Sequence, residues 1–386
     1  MKITDIRTTA LGFSKSPHTL KRNLVSSTSL FDDHEDQAWF GPGVFTLVEV
    51  ETDQGMTGIG TAGGFTTSAK PIIDTLLTPI LMGENPENIE YLWQRMYRSS
   101  VRIGRKGAVM AAISGIDIAL WDLKGRGLNT PVYNLLGGMT KSKIPCYASR
   151  LYALEDLDQL AAEAKGYRDQ GFTMVKQRFG FGPKAGRRGM DANERLVATV
   201  REAIGPDVEL AADAYMGWTV DYTIRMAERL KDYDLKWIEE PLLADDWDGY
   251  EYLALRSPIP ISCGEHEYGL EGFREIMERK ITRYLQPDAN RVGGITILKK
   301  IAALAEAYHL DVVPHSNESH NLHVIASQTN CPIMEYFPNV EPDTGNELFW
   351  KVFRGEPSPE QGMMVPPSSP GLGISVNRDA VQALKL

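Results

Sequence analysis

Cysteine, net positive charge and long apolar runs are all scarce in this 386-residue sequence. The three cysteines, Cys146, Cys263 and Cys331, are odd in number and far apart, which excludes a disulfide framework and a CxxC metal site. A formal net charge of -10 argues against nucleic acid or an anionic membrane surface as a partner. No apolar run approaches the roughly 18 residues of a membrane span, and the first residues lack the apolar core of a secretory signal. We therefore expect a cytoplasmic protein.

The remaining composition, 42% hydrophobic and 24% charged, is typical of a globular protein with a sizeable core. The length exceeds the roughly 250 to 300 residues at which single cores stop growing, so we expect more than one domain. Residues 1–130 have the pattern of an α+β unit, with a hairpin around residues 53–55 and helical patterns at 68–82, 88–99 and 107–125. Residues 13–43 are too irregular for a strand or a helix, and we expect a lid there.

In residues 131–340, short β-rich runs alternate with amphipathic helices, which is typical of a parallel sheet. Eight such units favour a closed (β/α)8-type barrel over an open doubly wound sheet, because no glycine-rich phosphate turn follows the first run. The stretch 179–189 is glycine-rich but lacks the Walker ending, so it is predicted to be a loop. Residues 341–386 are rich in proline and glycine and should return over the first domain. The predicted strands are 144–149, 173–179, 208–215, 236–241, 259–266, 284–288, 311–316 and 333–337.

Ionisable residues lie at almost every strand end of the predicted barrel. In barrels of this kind the functional site lies at the carboxyl ends of the strands. Successive residues are separated by about one βα unit, so the repeat should bring them to one ring. In chain order they are Lys176 and Arg178, Asp213, Glu239, Glu265, Asp288, His315 and Glu335.

Three of these acids, Asp213, Glu239 and Glu265, end consecutive strands. Converging carboxylates repel one another unless a cation neutralises them. Oxygen ligands without cysteine or paired histidine favour Mg²⁺ over Zn²⁺. Any one of these acids alone could be an ordinary carboxylate paired with a nearby lysine or arginine. Three acids at one-unit spacing favour a magnesium site.

Asp288 and His315 end neighbouring strands and can form a carboxylate–imidazole pair, in which the acid raises the basicity of the ring. The alternative is a buried histidine satisfied by its neighbours, which we favour for the other candidates: His309, His320 and His323.

Lys176 and Arg178 lie two residues apart on one strand, so both side chains point to the same side. They could hold an anionic carboxylate or enediolate. Ordinary ion pairing with the surrounding acids is the alternative.

Six motifs, in this order, resemble those of the enolase superfamily and specifically of its mandelate racemase subgroup: KQR, LAADAY, WIEEP, CGEHE, QPDANRVGGI and VVPHS. The run LWDLKGRGLNTPVYNLLGG is also similar, so the resemblance covers nearly the whole chain. It implies a modified (β/α)7β barrel of the TIM type, with an N-terminal α+β capping domain completed by the C-terminal segment. It also implies Mg²⁺ bound by Asp213, Glu239 and Glu265, with a lysine or histidine base.

One position departs from the pattern of the subgroup. A KxK motif normally supplies a second lysine as a base, whereas this chain has Arg178, and arginine scarcely deprotonates. The resemblance therefore implies a dehydration with one base. His315 would remove the proton α to a carboxylate and return it to the departing β-hydroxyl, while Mg²⁺ and Lys176 stabilise the enediolate. Glu335 matches the position that hydrogen-bonds the carboxylate oxygen, which requires it protonated or screened.

Within the subgroup, the chain is most similar to sugar-acid dehydratases, such as L-rhamnonate and L-lyxonate dehydratases, in the GEHE motif and the stretch NELFWKVFRGEP. These imply a small sugar-acid substrate, and we also expect a homo-oligomer. Substrate contacts are expected from residues beside the metal ligands and in the lid: His266, Tyr215, His34, Arg22 and Trp39. A packing role is the alternative for Tyr215.

Two other functions stay open at this point. A racemase or epimerase of the same superfamily would need another group as the second acid or base, and Tyr215 and His320 are the candidates. A metal-stabilised binding protein that kept the fold without turnover is the non-enzymatic alternative.

Overall fold

The computed structural model describes residues 1–13, 22–29, 44–63, 67–339 and 347–386, with the backbone alone at 22, 23 and 347. Its N-terminal part contains β1 (Ile3–Gly12), β2 (Arg22–Asn23), β3 (Val44–Thr52) and β4 (Thr57–Ala62). Strands β1, β3 and β4 form an antiparallel sheet in that order. Gly55 in the β3–β4 turn has a φ of 74°, a conformation that favours glycine. The predicted hairpin is thereby confirmed.

Helices cover one face of this sheet, and the sequence predicted each of the three helical regions. They are α1 (Ala69–Ile72), a π-helical turn (Ile73–Leu77), α2 (Thr78–Leu81), α3 (Ile89–Ser100), α4 (Ala108–Gly127) and, after the predicted set, α5 (Val132–Leu135). Helix α4 is almost wholly buried and lies directly on β4. A Cβ atom at Gly58 or Gly60 would clash with backbone carbonyls of α4, so these glycines permit the close approach.

The second part is a curled parallel sheet. Its strands are β5 (Ile144–Ser149), followed by the short β6 (Ala153–Leu154) outside the sheet, then β7 (Met174–Arg178), β8 (Glu209–Asp213), β9 (Leu235–Glu239), β10 (Ile261–Cys263), β11 (Tyr284–Leu285), β12 (Asp311–Val312) and β13 (Met334–Tyr336). The strands from β5 to β12 pair in chain order, and β13 returns beside β5. The sheet therefore curls into the predicted barrel, with its seam between β12 and β13, where the described residues show no ladder.

Helices follow each strand of the sheet except the last, which gives the (β/α)7β order. They are α6 (Leu157–Asp169), α7 (Gly186–Ile204), α8 (Val220–Leu230), α9 (Trp247–Arg256), α10 (Gly269–Glu278), the pair α11 (Ala289–Val292) and α12 (Gly294–Ala307), and α13 (Ser319–Ser327). Short 3-10 turns cover Pro183–Ala185 and Lys231–Tyr233.

The loop predicted at 179–189 is wrong in its second half, because α7 begins at Gly186. Pro183 opens the preceding 3-10 turn, and its fixed φ suits a helical start. Gly189 does not break the helix, since its missing side chain leaves room for Phe181 and Ala185. Three strands end three or more residues earlier than predicted, at Cys263, Leu285 and Val312, so Glu265, Asp288 and His315 lie beyond the ladder.

The C-terminal segment packs against the N-terminal sheet and helices, as the fold class requires. It contains α14 (Glu347–Val352), β14 (Phe353–Arg354), β15 (Met363–Met364), β16 (Ser375–Val376) and α15 (Arg378–Leu384). The carboxylate of Asp122 in α4 accepts hydrogen bonds from the backbone N–H groups of Leu372 and Ile59, at 2.8 and 2.9 Å. Leu386 N–H donates to the carbonyl of Ala10.

Helices α11 and α12 join the barrel to the N-terminal unit beside the strand ends. Thr61 of β4 donates to Asn290 Oδ1 at 2.6 Å, and Trp93 Nε1 donates to the carbonyl of Gly293 at 2.8 Å. Asp117 of α4 accepts from the backbone and hydroxyl of Thr296. The cap is therefore anchored next to Asp288. None of the helices in the described ranges has the length and apolarity that crossing a bilayer requires.

Candidate active site

The parallel ladder places three of the predicted site residues side by side. Arg178 is the register partner of Asp213, and Asp213 is the partner of Glu239 on the next strand. Glu239 pairs in turn with Ser262 on β10, and Glu265 follows that strand by two residues. All four charged side chains are buried. Residues that are one βα unit apart in the sequence therefore lie next to one another at the barrel mouth.

Two buried cations of β7, Lys176 and Arg178, contact the acids of β8, β9 and β13. Lys176 Nζ lies 2.5 Å from Glu239 Oε1, 2.7 Å from Glu335 Oε1 and 3.9 Å from Asp213 Oδ2. Arg178 Nη1 donates to Asp213 Oδ2. Burial alone would lower the pKa of Lys176, but Glu239, Glu335 and Asp213 outweigh it and raise that pKa. Lys176 is therefore a fixed positive charge.

Glu239 is held by neutral donors as well as by Lys176. Trp237 Nε1 and Gln286 Nε2 both donate to its Oε2, at 2.9 and 2.8 Å. Burial raises the pKa of Glu239 to about 7, and Lys176 only partly opposes this. The structure thus fixes the orientation of this carboxylate even though burial disfavours its charge.

His315 and Asp288 form the expected pair on the other side of the mouth. Asp288 Oδ2 lies 2.9 Å from His315 Nδ1, and Glu265 Oε2 lies 3.5 Å from His315 Nε2. Burial disfavours the charged ring, but Glu265 and Asp288 outweigh it and raise the pKa of His315 to about 9. The second nitrogen of the ring faces the predicted metal ligand.

Glu335 lies between Lys176 and the backbone that follows His315. Its Oε2 accepts from the backbone N–H of Ser316 at 2.8 Å. Burial would raise the pKa of Glu335, but Lys176 and His315 outweigh it and lower the pKa to about 2. Glu335 is thus ionised and screened by Lys176.

His266 has a partner that the sequence interpretation missed. Its Nδ1 lies 2.5 Å from Glu240 Oε2, and its ring meets that of Tyr215 edge to face with centroids 5.4 Å apart. Ligand atoms of Glu240, Glu265 and His266 all lie within 4.8 Å of one another, and among the described residues this is the trio with that spacing. It shares only Glu265 with the predicted trio. Glu240, the second glutamate of the WIEEP motif, could have been recognised from the sequence as a candidate partner.

Left-handed backbone follows several of these residues. The φ angles are 42° at Tyr215, 37° at Glu240 and 81° at Ser316. Each lies one or two residues after Asp213, Glu239 or His315. Such strain persists where the surrounding structure fixes the backbone, and it clusters at functional sites.

The other predicted residues lie apart from this cluster or outside the described residues. His34 and Trp39 fall outside them; of the predicted lid, 13–43, the structure describes residue 13 and residues 22–29. The backbone of Arg22 pairs with Leu154 of β6. His320 is buried, and its Nε2 lies 4.0 Å from Glu318 and has no hydrogen-bond partner in the described ranges. Burial lowers the pKa of His320 to about 4.

The three remaining histidine expectations have different outcomes. His320 is buried as predicted, but its Nε2 has no hydrogen-bond partner among the described residues. His323 is buried and its Nδ1 accepts from the backbone of Tyr133, but its Nε2 likewise has no partner in the described part of the chain. His309 is exposed, so the prediction of burial is wrong there. It lies past the end of α12 with a φ of 58°, where the chain turns toward β12.

Comparison with protein families agrees with this architecture. The family described as enolase C-terminal domain-like matches residues 159–380. The mandelate racemase / muconate lactonizing enzyme N-terminal domain matches residues 41–137. The chain belongs to the enolase superfamily, in its mandelate racemase subgroup.

Relatives of this superfamily member include enzymes of sugar-acid chemistry. An L-rhamnonate dehydratase of Saccharopolyspora erythraea is 35% identical over 86% of this chain and 83% of its own length. A D-galactarolactone cycloisomerase of Agrobacterium fabrum is 31% identical over 100% of this chain and 99% of its own. The crystal structure of rhamnonate dehydratase from Gibberella zeae complexed with Mg is 34% identical, with a TM-score of 0.89 over 100% of this chain and 96% of that one.

The donor set of this superfamily member fits a hard divalent cation. The predicted ligands offer only oxygen atoms and are all buried: Asp213 and Glu239 lie on neighbouring strands, and Glu265 lies two residues beyond the next strand. Mg²⁺ prefers such carboxylate ligands and keeps other positions for water and substrate oxygens. These acids also need positive charge. Lys176, Arg178 and Arg291 contact them, but Lys176 also contacts Glu335 and Arg291 also contacts Asp288, so the five buried acids outnumber these three cations.

Proposed function

We propose that the protein is a Mg²⁺-dependent dehydratase of a small sugar acid. The observation that carries the proposal is an asymmetry between the two sides of the site. His315 pairs with Asp288 on one side, whereas the opposite side has Arg178 bound to Asp213. One imidazole can take a proton and then return it, which suits the loss of water. A racemase with two bases would need a second proton-transfer group on the side of Arg178, where arginine scarcely deprotonates.

The proposed reaction needs only two proton movements at His315. Its Nε2 takes the proton from C2, the carbon α to the substrate carboxylate. The C2–H electron pair then forms a C2–C3 double bond as the C3–O bond breaks, and the imidazolium gives its proton to the departing hydroxyl to form water. The resulting enol tautomerises to a 2-keto-3-deoxy acid. Asp288 stabilises the imidazolium through Nδ1.

Asp213, Glu239 and Glu265 would hold the Mg²⁺. When bound, the ion supplies positive charge that stabilises negative charge developing on the substrate carboxylate. Lys176, which is fixed as a cation, adds to that stabilisation. The magnesium complex of the Gibberella zeae rhamnonate dehydratase supports this choice of ion.

We further propose that the barrel and the capping domain have different roles. The barrel, 131–340, carries metal and proton transfer, and the cap, 1–130, is completed by 341–386. The lid at 13–43 would select the distal end of the substrate through Arg22, His34 and Trp39, and His266 and Tyr215 would contact the substrate from the barrel. The contact between the rings of His266 and Tyr215 beside Glu265 supports a role for that pair.

A panel of aldonic and aldaric acids tests the proposal. Purified protein with Mg²⁺ is mixed with each acid, beginning with L-rhamnonate, and 2-keto-3-deoxy products are assayed. We expect one or a few acids to be dehydrated and the activity to disappear with EDTA. No product from any acid, although calorimetry detects bound Mg²⁺, would count against dehydration.

The cycloisomerase relative favours a second candidate, isomerisation or epimerisation of a sugar acid or its lactone. The same panel in deuterium oxide distinguishes the two. Deuterium at the α-carbon of an acid that keeps all its hydroxyl groups would favour the second candidate. A binding protein without turnover would show neither result.

A further inference from the structure

Four buried side chains at the barrel mouth form a closed ring. Arg291 Nη1 lies 3.4 Å from Glu265 Oε1, and Arg291 Nε lies 3.2 Å from Asp288 Oδ2. Asp288 Oδ2 lies 2.9 Å from His315 Nδ1, and His315 Nε2 lies 3.5 Å from Glu265 Oε2. Each carboxylate therefore contacts one guanidinium nitrogen and one imidazole nitrogen. The ring joins a proposed metal ligand to the proposed base.

The backbone of Arg291 is fixed from two sides. Arg291 lies in the short helix α11, where its N–H donates to the carbonyl of Asp288 at 2.9 Å. The preceding residue, Asn290, accepts the hydrogen bond from Thr61 of the cap. The side chain is buried, and its Nη1 also donates to the backbone carbonyl of Glu265 at 3.0 Å. The arginine thus reaches both acids from an anchored position.

We propose that Arg291 is a positioning residue, which holds Glu265 and Asp288 at a fixed separation and so orients His315 between them. The inference rests on the proposed role of His315 and deepens it. Partners of this kind orient ligands and bases without touching the reacting atoms. A planar guanidinium can contact two carboxylates through different nitrogens, whereas the single ammonium of lysine is a point charge on a flexible stem.

A purely electrostatic role makes a different prediction from a positioning role. If Arg291 only neutralised the two acids, lysine would replace it with little loss. If it fixes their separation, lysine keeps the charge and the fold but loses the geometry. The variant Arg291→Lys therefore separates the two roles, and Arg291→Gln, which removes the charge, is the second variant.

Arg201 provides a matched control. Its guanidinium also fixes backbone, through the carbonyls of Gly205, Val208 and Tyr233, but on the opposite side of the strands from the mouth. Arg201→Lys should lower the free energy of unfolding without changing metal binding or turnover.

The experiment measures thermal unfolding, Mg²⁺ affinity by calorimetry, and kcat and KM with an acid that the wild type converts. For folded Arg291→Lys we expect about 10-fold weaker Mg²⁺ binding and a kcat about 10- to 100-fold lower, with KM little changed. Arg291→Gln should be at least as impaired. Equal kcat and Mg²⁺ affinity in Arg291→Lys and the wild type would overturn the proposal, as would a loss no larger than that of Arg201→Lys.

The two proposals can fail separately. If the wild type converts no acid, dehydration fails, and Mg²⁺ affinity alone decides whether Arg291 positions Glu265. Failure of both Arg291 variants to fold would make the arginine a folding element and would also overturn the inference.

Discussion

Buried carboxylates occur in two regions of this molecule: in one they pair with buried cations, and in the other a carboxylate accepts hydrogen bonds from neutral donors. At the barrel mouth, Asp213 and Glu239 contact buried cations, Arg178 and Lys176. At the junction of cap and barrel, Asp117 instead accepts two hydrogen bonds from Thr296, at 3.0 and 2.6 Å. Burial raises the pKa of Asp117 to about 7. The carboxylates at the barrel mouth stay charged and can bind a ligand, whereas Asp117 joins helix α4 to helix α12 through hydrogen bonds.

The largest expected effect is on the base. His315→Asn should lower kcat by at least about 10³-fold, because one proton transfer contributes about 10²- to 10⁴-fold and His315 serves two. Fold and Mg²⁺ binding should survive, as circular dichroism and calorimetry would check. Unchanged turnover in this variant would refute the base assignment.

Glu239→Gln tests the charged region. The amide can keep the hydrogen bond from Trp237 but loses the charge, so Mg²⁺ affinity should fall by about 10-fold or more, since even outer-shell changes cost about 10- to 100-fold. The free energy of unfolding should stay the same or rise, because burial disfavours this carboxylate. A large loss of stability with intact Mg²⁺ binding would contradict the account, because Glu239 would then have a structural role and not a role in binding the ion.

Asp117→Ala tests the junction. The substitution removes the carboxylate that accepts from both the backbone N–H and the hydroxyl of Thr296. The free energy of unfolding should therefore fall by about 1 to 3 kcal/mol. Mg²⁺ affinity and kcat should not change. Lys300→Ala, which breaks the exposed pair with Glu90, is the control and should cost less than about 1 kcal/mol.

The pH dependence of stability tests the same residue. Because the folded-state pKa of Asp117 is about 7 against an ordinary 3.8, the folded chain binds this proton more tightly than the unfolded chain. Its contribution to stability is fully present below pH 3.8 and is lost as the pH rises through 7. The difference in unfolding free energy between wild type and Asp117→Asn should decline over that window. A flat difference would contradict the raised pKa.

The barrel could be predicted from the sequence because the βα repeat is regular. The same regular spacing brings residues at successive strand ends next to one another. Strand order alone predicts that Asp213 and Glu239 lie side by side and that Glu265 lies just beyond the next strand, whereas their role as metal ligands stays a prediction. Arg291 and Glu240 were missed, since each owes its position to a partner distant in the chain: Glu265 for the first and His266 for the second.

A crystal structure grown with Mn²⁺ tests the central claim most directly, because the anomalous signal of the ion locates it. The account predicts one peak bounded by oxygen atoms of Asp213, Glu239 and Glu265, on the side that His315 Nε2 faces. A peak held instead by Glu240 and His266, or no peak at the barrel mouth, would contradict it.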